Sequence, residues 1–275
     1  MHAAPDQQPT HRVFTAPGAA GNRARVVVLD SEPGPAELSA LAPATTAAAV
    51  CFVWPRTALQ AAADTTYQVA CYQGGRAVRC CGHGILASAH QLWRSTGRAP
   101  QQLQACAGEA IRCEQRDEHL WLYFRRLRCH PVDVMPRLAA AFAQPPLTAA
   151  LCGDGAGYCV LEWPAATELR TLDPDIPRIA AATSRAVIAT SRHSTDWVQL
   201  RYFAPRYGMP EDAVTGSACR VLGDYWQRRG LDRFEARQRS VAGGVVQVET
   251  SSREVAISGR VTVIPGETIA TENCS

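Results

Sequence analysis

The chain has 275 residues, 47% of them hydrophobic and 19% charged, and a formal net charge of +3. This is a globular composition with apolar material for one large domain or two ordinary ones. The basic residues are mostly arginines scattered along the chain, unlike a nucleic-acid footprint, and no apolar stretch approaches the roughly 20 residues that span a bilayer.

Met1 to Thr10 is polar, carries no signal-peptide core and is expected to be a disordered tail, which points to a cytoplasmic protein. Short β-branched or alternating runs then predict strands at 11–15, 25–29 (RVVVL), 50–53, 67–72 (YQVACY), 103–106 and 119–124. The turn Pro17 to Asn22 separates the first two. Helical composition marks 37–47 and 84–93, and 131–146 reads as a connector with one short helix. Further on, strands are predicted at 158–162, 186–190, 198–203 (VQLRYF), 234–238, 245–249 and 254–258, with helices at 174–183 and 218–229. The division expected is a first half over 1–132 and a second over 133–275, the C-terminal tail being free to pack back on the first.

There are eleven cysteines. An odd number without a secretion signal predicts free thiols rather than a disulfide framework. Cys80 and Cys81 are adjacent, and no Cys-x-x-Cys pair occurs, so the usual zinc spacing is missing. Most of these cysteines read as small core residues.

The two halves repeat a pattern. Cys81 to Trp93 (CGHGILASAHQLW) and Val214 to Trp226 (VTGSACRVLGDYW) are 13 residues each, offset by 133. Each opens on small residues, ends in Trp and follows a similar strand. The implied architecture is a duplicated α+β unit with two equivalent strand–turn–helix corners.

Such a corner leaves backbone N–H groups at the positive end of a helix, where an anion is favoured. Gly82 and Gly84 open the first corner; Thr215, Gly216 and Ser217 open the second. Cys81 stands where a helix start favours a thiolate, His83 can give or take a proton near neutral pH, and Asp212 precedes the second corner. Abstracting a proton beside a carboxylate needs both a base and anion stabilisation, and these residues supply both.

Pro210-Glu-Asp-Ala-Val-Thr-Gly-Ser-Ala218 closely resembles the EDPVTGSA hallmark of PhzF-like proteins, relatives of diaminopimelate epimerase. Cys81-Gly-His-Gly84 is similar to the matching first-half motif and to the Cys-Gly-His-Gly of proline racemases. Gly21-Asn22, Phe203-Ala-Pro205 and the segment from Arg237-Gln238 to Gly243-Gly244 also fit, so the resemblance runs from about residue 11 to about 265. It implies two pseudo-symmetric epimerase-like domains, each with strands wrapped around a central helix, and a cleft between them. It also implies isomerisation of a small carboxylic or amino acid by proton movement, with no cofactor and no metal. Asp212, His83 and Cys81 would be catalytic. Gly82, Gly84, Thr215, Gly216, Ser217 and Asn22 would bind substrate. A cytoplasmic homodimer is implied, with no nucleic-acid or membrane partner.

One departure stands out. PhzF-like enzymes usually carry a catalytic Glu in Ser-Glu-Thr-x-Phe-Val, and the same register here gives Ala48-Ala49-Val50-Cys51-Phe52-Val53. Two-cysteine racemases place a second Cys where this chain has Val214. The open readings are therefore an isomerase, a ligand-binding homologue without the chemistry, and a lyase such as a dehydratase. On sequence, an added carboxylate at Ala49 is expected to be solvated and tolerated.

Overall fold

The computed structural model describes residues 9–42, 49–56, 65–78 and 81–264. Residues 1–8 of the expected tail and 43–47 of the expected first helix lie outside these. Thr10 does not belong to a tail: it opens the first strand and is buried.

The first repeat begins with an antiparallel hairpin of β1 (Thr10–Thr15) and β2 (Asn22–Val28), Val13 facing Asn22. Gly21, just before β2, has φ +71°, and a Cβ there would stand 2.4 Å from the Val13 carbonyl oxygen. The Gly-Asn pair is thus a turn only glycine can make. Helix α1 (Pro35–Leu41) leads to β3 (Ala49–Pro55), parallel to β2, and β4 (Thr66–Gln73) runs antiparallel to β3. After the short β5 (Arg76–Val78) comes the long helix α2 (Gly82–Thr96). Strand β6 (Gln102–Ala105) then lies parallel to β4, and β7 (Ala110–Arg116) and β8 (His119–Arg125) continue antiparallel.

The second repeat follows the same course. It opens with β9 (Cys129–Val132), α3 (Pro136–Ala139), β10 (Thr148–Cys152), β11 (Tyr158–Glu162) and α4 (Ile176–Ala182). Next come β12 (Ala186–Arg192), β13 (Trp197–Phe203), α5 (Gly216–Gln227), β14 (Arg233–Gln238), β15 (Gly244–Thr250), β16 (Glu254–Ser258) and β17 (Arg260–Ile264). Its pairings copy the first: β10–β11 antiparallel, β11–β12 parallel, β12–β13 antiparallel, β13–β14 parallel, β14–β15 antiparallel.

The chain forms two compact units. One holds the described residues up to Thr15, Gly21–Phe124 and those from Ser258 onward; the other holds Ala16–Ala20 and Arg125–Ile257. The division falls after Phe124, ahead of the expected boundary at 132, because β9 takes its backbone hydrogen bonds from β10. In the same way β17 pairs with β1 and joins the first unit.

Each unit wraps its strands around one helix. In α2 every residue from Gly82 to Ala89 is buried, as are most of those in α5; a helix buried on nearly all sides is a core element. The neighbouring strands are covered on both faces. Val50, Phe52 and Trp54 of β3 pack with Leu38 of α1 and Ala70 of β4. By strand alternation, Ala49, Cys51 and Val53 take the opposite face, towards α2. In the second unit Ile179 of α4 packs on Leu161, Val187 and Ala189, beside Trp163, Phe142 and Phe203. Among the described residues no helix is long and apolar enough to cross a membrane.

The expectation of free thiols throughout needs a correction. Cys129 and Cys152, directly opposite each other on β9 and β10, form a disulfide. Strand pairing set by distant residues brings them together, which spacing along the chain could not reveal. The core reading holds for Cys113 and Cys159, each pushed up to about 12 by burial, and for Cys219, pushed higher still by the same cause.

Candidate functional site

The first unit carries Asn22, Cys81, Gly82, His83 and Gly84 together at the start of α2. Cys81 is the N-cap residue, and Ile85 N–H donates to its carbonyl at 2.8 Å. The N–H groups of Gly82, His83 and Gly84 thus fall in the first turn, where no intrahelical acceptor exists. His83 Nδ1 lies 3.5 Å from Asn22 Nδ2 and 3.8 Å from Cys81 Sγ. His83 Nε2 lies at the same 3.8 Å from Cys81 Sγ, so either ring nitrogen can face the sulfur.

Cys81 is 4% exposed. The neighbouring Cys51 sulfur, and after it that of Cys71, holds Cys81 well below the usual thiol range, against the opposing effect of burial and with further help from the neighbouring His83. Burial pushes Cys51 up, and the neighbouring sulfurs, Cys51 foremost, push Cys71 up. Cys51 and Cys71 went unnoticed in the sequence because each reads as an ordinary apolar strand position.

The second unit carries Asp212, Thr215, Gly216 and Ser217. The loop before α5 is tied back to β13: Asp212 N–H donates to the Tyr202 carbonyl at 3.1 Å. Arg201 grips Glu211 through two bonds of 2.7 and 2.8 Å, the bidentate geometry that orients a carboxylate best. Asp212 is 8% exposed. Its Oδ1 accepts the Ala213 N–H at 2.9 Å, and its Oδ2 accepts the Thr215 hydroxyl at 2.6 Å. Gln238 on β14 completes the corner. Its Oε1 accepts the Thr215 N–H at 2.8 Å, and its Nε2 donates to the Asp212 carbonyl at 2.7 Å. Ser240 Oγ adds a bond to the Ala213 carbonyl at 2.5 Å. Gln238 and Ser240 belong to the corner as much as Thr215 does. Their only sequence signal is the Arg237-to-Gly244 segment already matched to the closing strands.

The residue content of each corner is thus brought together as the sequence suggests. Among the described residues, no three His, Cys, Asp or Glu side chains are arranged to hold a metal ion.

Residues 127–270 match the family model described as phenazine biosynthesis-like protein, PhzC-PhzF. An uncharacterized isomerase of Pseudomonas aeruginosa is 31% identical over 68% of this chain and 71% of its own length. The chain belongs to the PhzF-like family. The fold agrees. A PhzF-family phenazine biosynthesis protein of Enterococcus faecalis superposes with a TM-score of 0.79 at 22% identity, covering 96% of this chain and 97% of that one. A probable proline racemase of Agrobacterium radiobacter, solved with bound carbonate, gives a TM-score of 0.57 at 12% identity over 93% of this chain and 90% of its own. Ala49 stands at the start of β3 opposite Ala24 and is 0% exposed. The expectation that a carboxylate added there would be solvated is therefore reversed.

Proposed function

We propose that this PhzF-like chain is an isomerase that moves a proton at a carbon of a small carboxylic or amino acid, without a cofactor. Asp212 is the acid–base group, with His83 and Cys81 as further proton carriers. The N–H groups at Gly82, Gly84 and Gly216, with Asn22, Thr215 and Ser217, receive the substrate's anionic groups. The single observation carrying this reading is the Asp212 carboxylate, almost buried at a helix start and aimed by Thr215 and Ala213. A buried carboxylate held in one orientation is what a positioned base requires. The racemase-like fold and the relatives named as isomerases support the same class.

The test is a panel of small hydroxy, amino and unsaturated acids incubated in deuterated water with the full chain. Deuterium uptake at a substrate carbon, with mass otherwise unchanged, is the expected result; loss of water would indicate a lyase. A second reading, a ligand-binding homologue, is favoured by the buried alanine at position 49. It requires saturable binding of an acid with no isotope uptake.

A homodimer is part of the proposal, and light scattering on the eluting protein checks it.

A further inference from the structure

Three sulfurs converge on one point of the first unit. Strand alternation turns Cys51 of β3 and Cys71 of β4 to the α2 face, and they stand directly opposite in the antiparallel register. Their Sγ atoms are 2.9 Å apart. Cys81, at the N-terminus of α2, brings its Sγ to the same point beside Gly84. What admits them is Gly84. A Cβ on that residue would fall 2.5 Å from Cys51 Sγ, 2.9 Å from Cys81 Sγ and 3.1 Å from Cys71 Sγ. Any side chain at 84 would scatter the cluster.

Three thiols gathered at one glycine place a sulfenic acid formed on any of them beside a thiol that can resolve it. We propose that Cys51, Cys71 and Cys81 form a peroxide-sensitive thiol centre, in which Cys81 is oxidised and one of the two strand thiols closes a disulfide onto it.

The steps balance with a hydroperoxide as the oxidant. The Cys81 thiolate attacks the terminal oxygen of the hydroperoxide; the S–O bond forms as the O–O bond breaks, and the departing alkoxide or hydroxide takes a proton from solvent. Cys81 is now a sulfenic acid, oxidised by two electrons, and the peroxide is reduced by two. The sulfur of Cys51 or Cys71 then attacks the Cys81 sulfur, and its proton leaves with the sulfenic oxygen as water. Charge on Cys81 and protons on its two neighbours is the distribution this sequence of steps uses: a thiolate to attack, and thiols in contact to resolve. Cys81 and Cys71 are 4% and 6% exposed, and Cys51 is 0% exposed. The disulfide would pin the first turn of α2 to the strands and remove the Cys81 thiolate. The centre does not depend on the proton-transfer role proposed for Cys81, and its test reads sulfur chemistry rather than turnover.

The experiment is peptide mapping of the reduced full chain after a brief exposure to stoichiometric hydrogen peroxide. Tryptic peptides 26–56, 57–76 and 80–94 carry Cys51, Cys71 and the Cys80–Cys81 pair separately. The expected result is a reductant-reversible cross-link from Cys81 to Cys51 or Cys71, assigned by fragmentation. In the Cys51→Ser/Cys71→Ser double variant, dimedone should trap a sulfenic acid on Cys81. Cys81 should react about tenfold or more faster than Cys113, Cys159 or Cys219, whose burial keeps them protonated. A Cys51–Cys71 cross-link that disappears in Cys81→Ser supports the relay; one that persists there overturns it. A cross-link through Cys80, oxidation at exposed Cys106 ahead of Cys81, or no cross-link in the wild-type chain also overturns it, and none of these readouts requires a variant to fold.

Discussion

The Thr215 hydroxyl donates to Asp212 Oδ2 at 2.6 Å, within a corner where the other carboxylate oxygen already holds the Ala213 N–H. Asp212→Asn keeps the volume and one acceptor oxygen but removes the base. Substrate isotope exchange should fall by about 10²- to 10⁴-fold, with the circular dichroism spectrum unchanged. Full exchange in that variant would take Asp212 out of the chemistry.

Gln238 is a positioning residue for the same corner. Gln238→Leu removes the partner of the Thr215 N–H and of the Asp212 carbonyl, both at an inner position. A buried polar group left unpaired costs about 1–3 kcal/mol. A lower urea midpoint and a lower turnover number are expected together, and Gln238→Glu should recover only part of the loss because it restores the acceptor alone.

Acid should loosen the second unit through Asp224. Burial alone would raise this carboxyl, but the Cys129 N–H, Arg126 and Arg228 outweigh it and hold it below its ordinary value. A depressed folded-state value means the stabilisation is complete above the unfolded value of about 4 and is lost as pH falls through the folded one. The free energy of unfolding should therefore decline as pH falls below about 4, and the decline should be shallower in Asp224→Asn, by denaturant titration across that range.

Ala49→Glu should damage the fold, not restore a missing catalyst. The alanine side chain has no exposed surface, so the new carboxylate must be buried, neutralised or forced out. Destabilisation of about 4 kcal/mol or more is expected, seen as a loss of soluble protein or a large drop in melting temperature. A variant of wild-type stability that gains isotope exchange would show that the strand start can open.

Alkylation should separate Cys81 from Cys106 by pH dependence. Cys81 is held low by the Cys51 and Cys71 thiols, while Cys106 is raised by burial and by the charge on Glu32. As pH is raised from 7 to 9 the labelling rate of Cys81 with a small reagent should climb less steeply than that of exposed Cys106, because the thiolate is the reactive form. A rate at Cys81 that climbs in parallel would mean its sulfur is protonated at neutrality.

Three of the strands missed on sequence share a physical cause. Strand β7 (AIRCEQR) is mostly polar, β10 (TAALC) is alanine-rich, and β9 contains Pro131, so none has strong intrinsic strand character. Each is a strand because a neighbour supplies the hydrogen bonds. Helix α1 ends at Leu41, short of the predicted extent. Pro43 lacks the N–H that a continuing helix would use.

What the sequence determined by itself was the repeat. Small residues before an apolar helical run, following an alternating strand, dictate a strand–turn–helix corner locally, and the motif at 210–218 carries its own side chains a few residues apart. That is why Asp212, Thr215 and Ser217 could be placed together, and why Cys81 and His83 could. Only the tertiary structure decided what stands across from them. Gln238 reaches Thr215 because β14 runs parallel to β13. Cys51 and Cys71 meet Cys81 because two antiparallel strands share a register beneath a glycine. Cys129 finds Cys152 because β9 pairs with β10. Strand register joins residues that are distant along the chain, and it is set by the packing of whole faces, so no local pattern contains it.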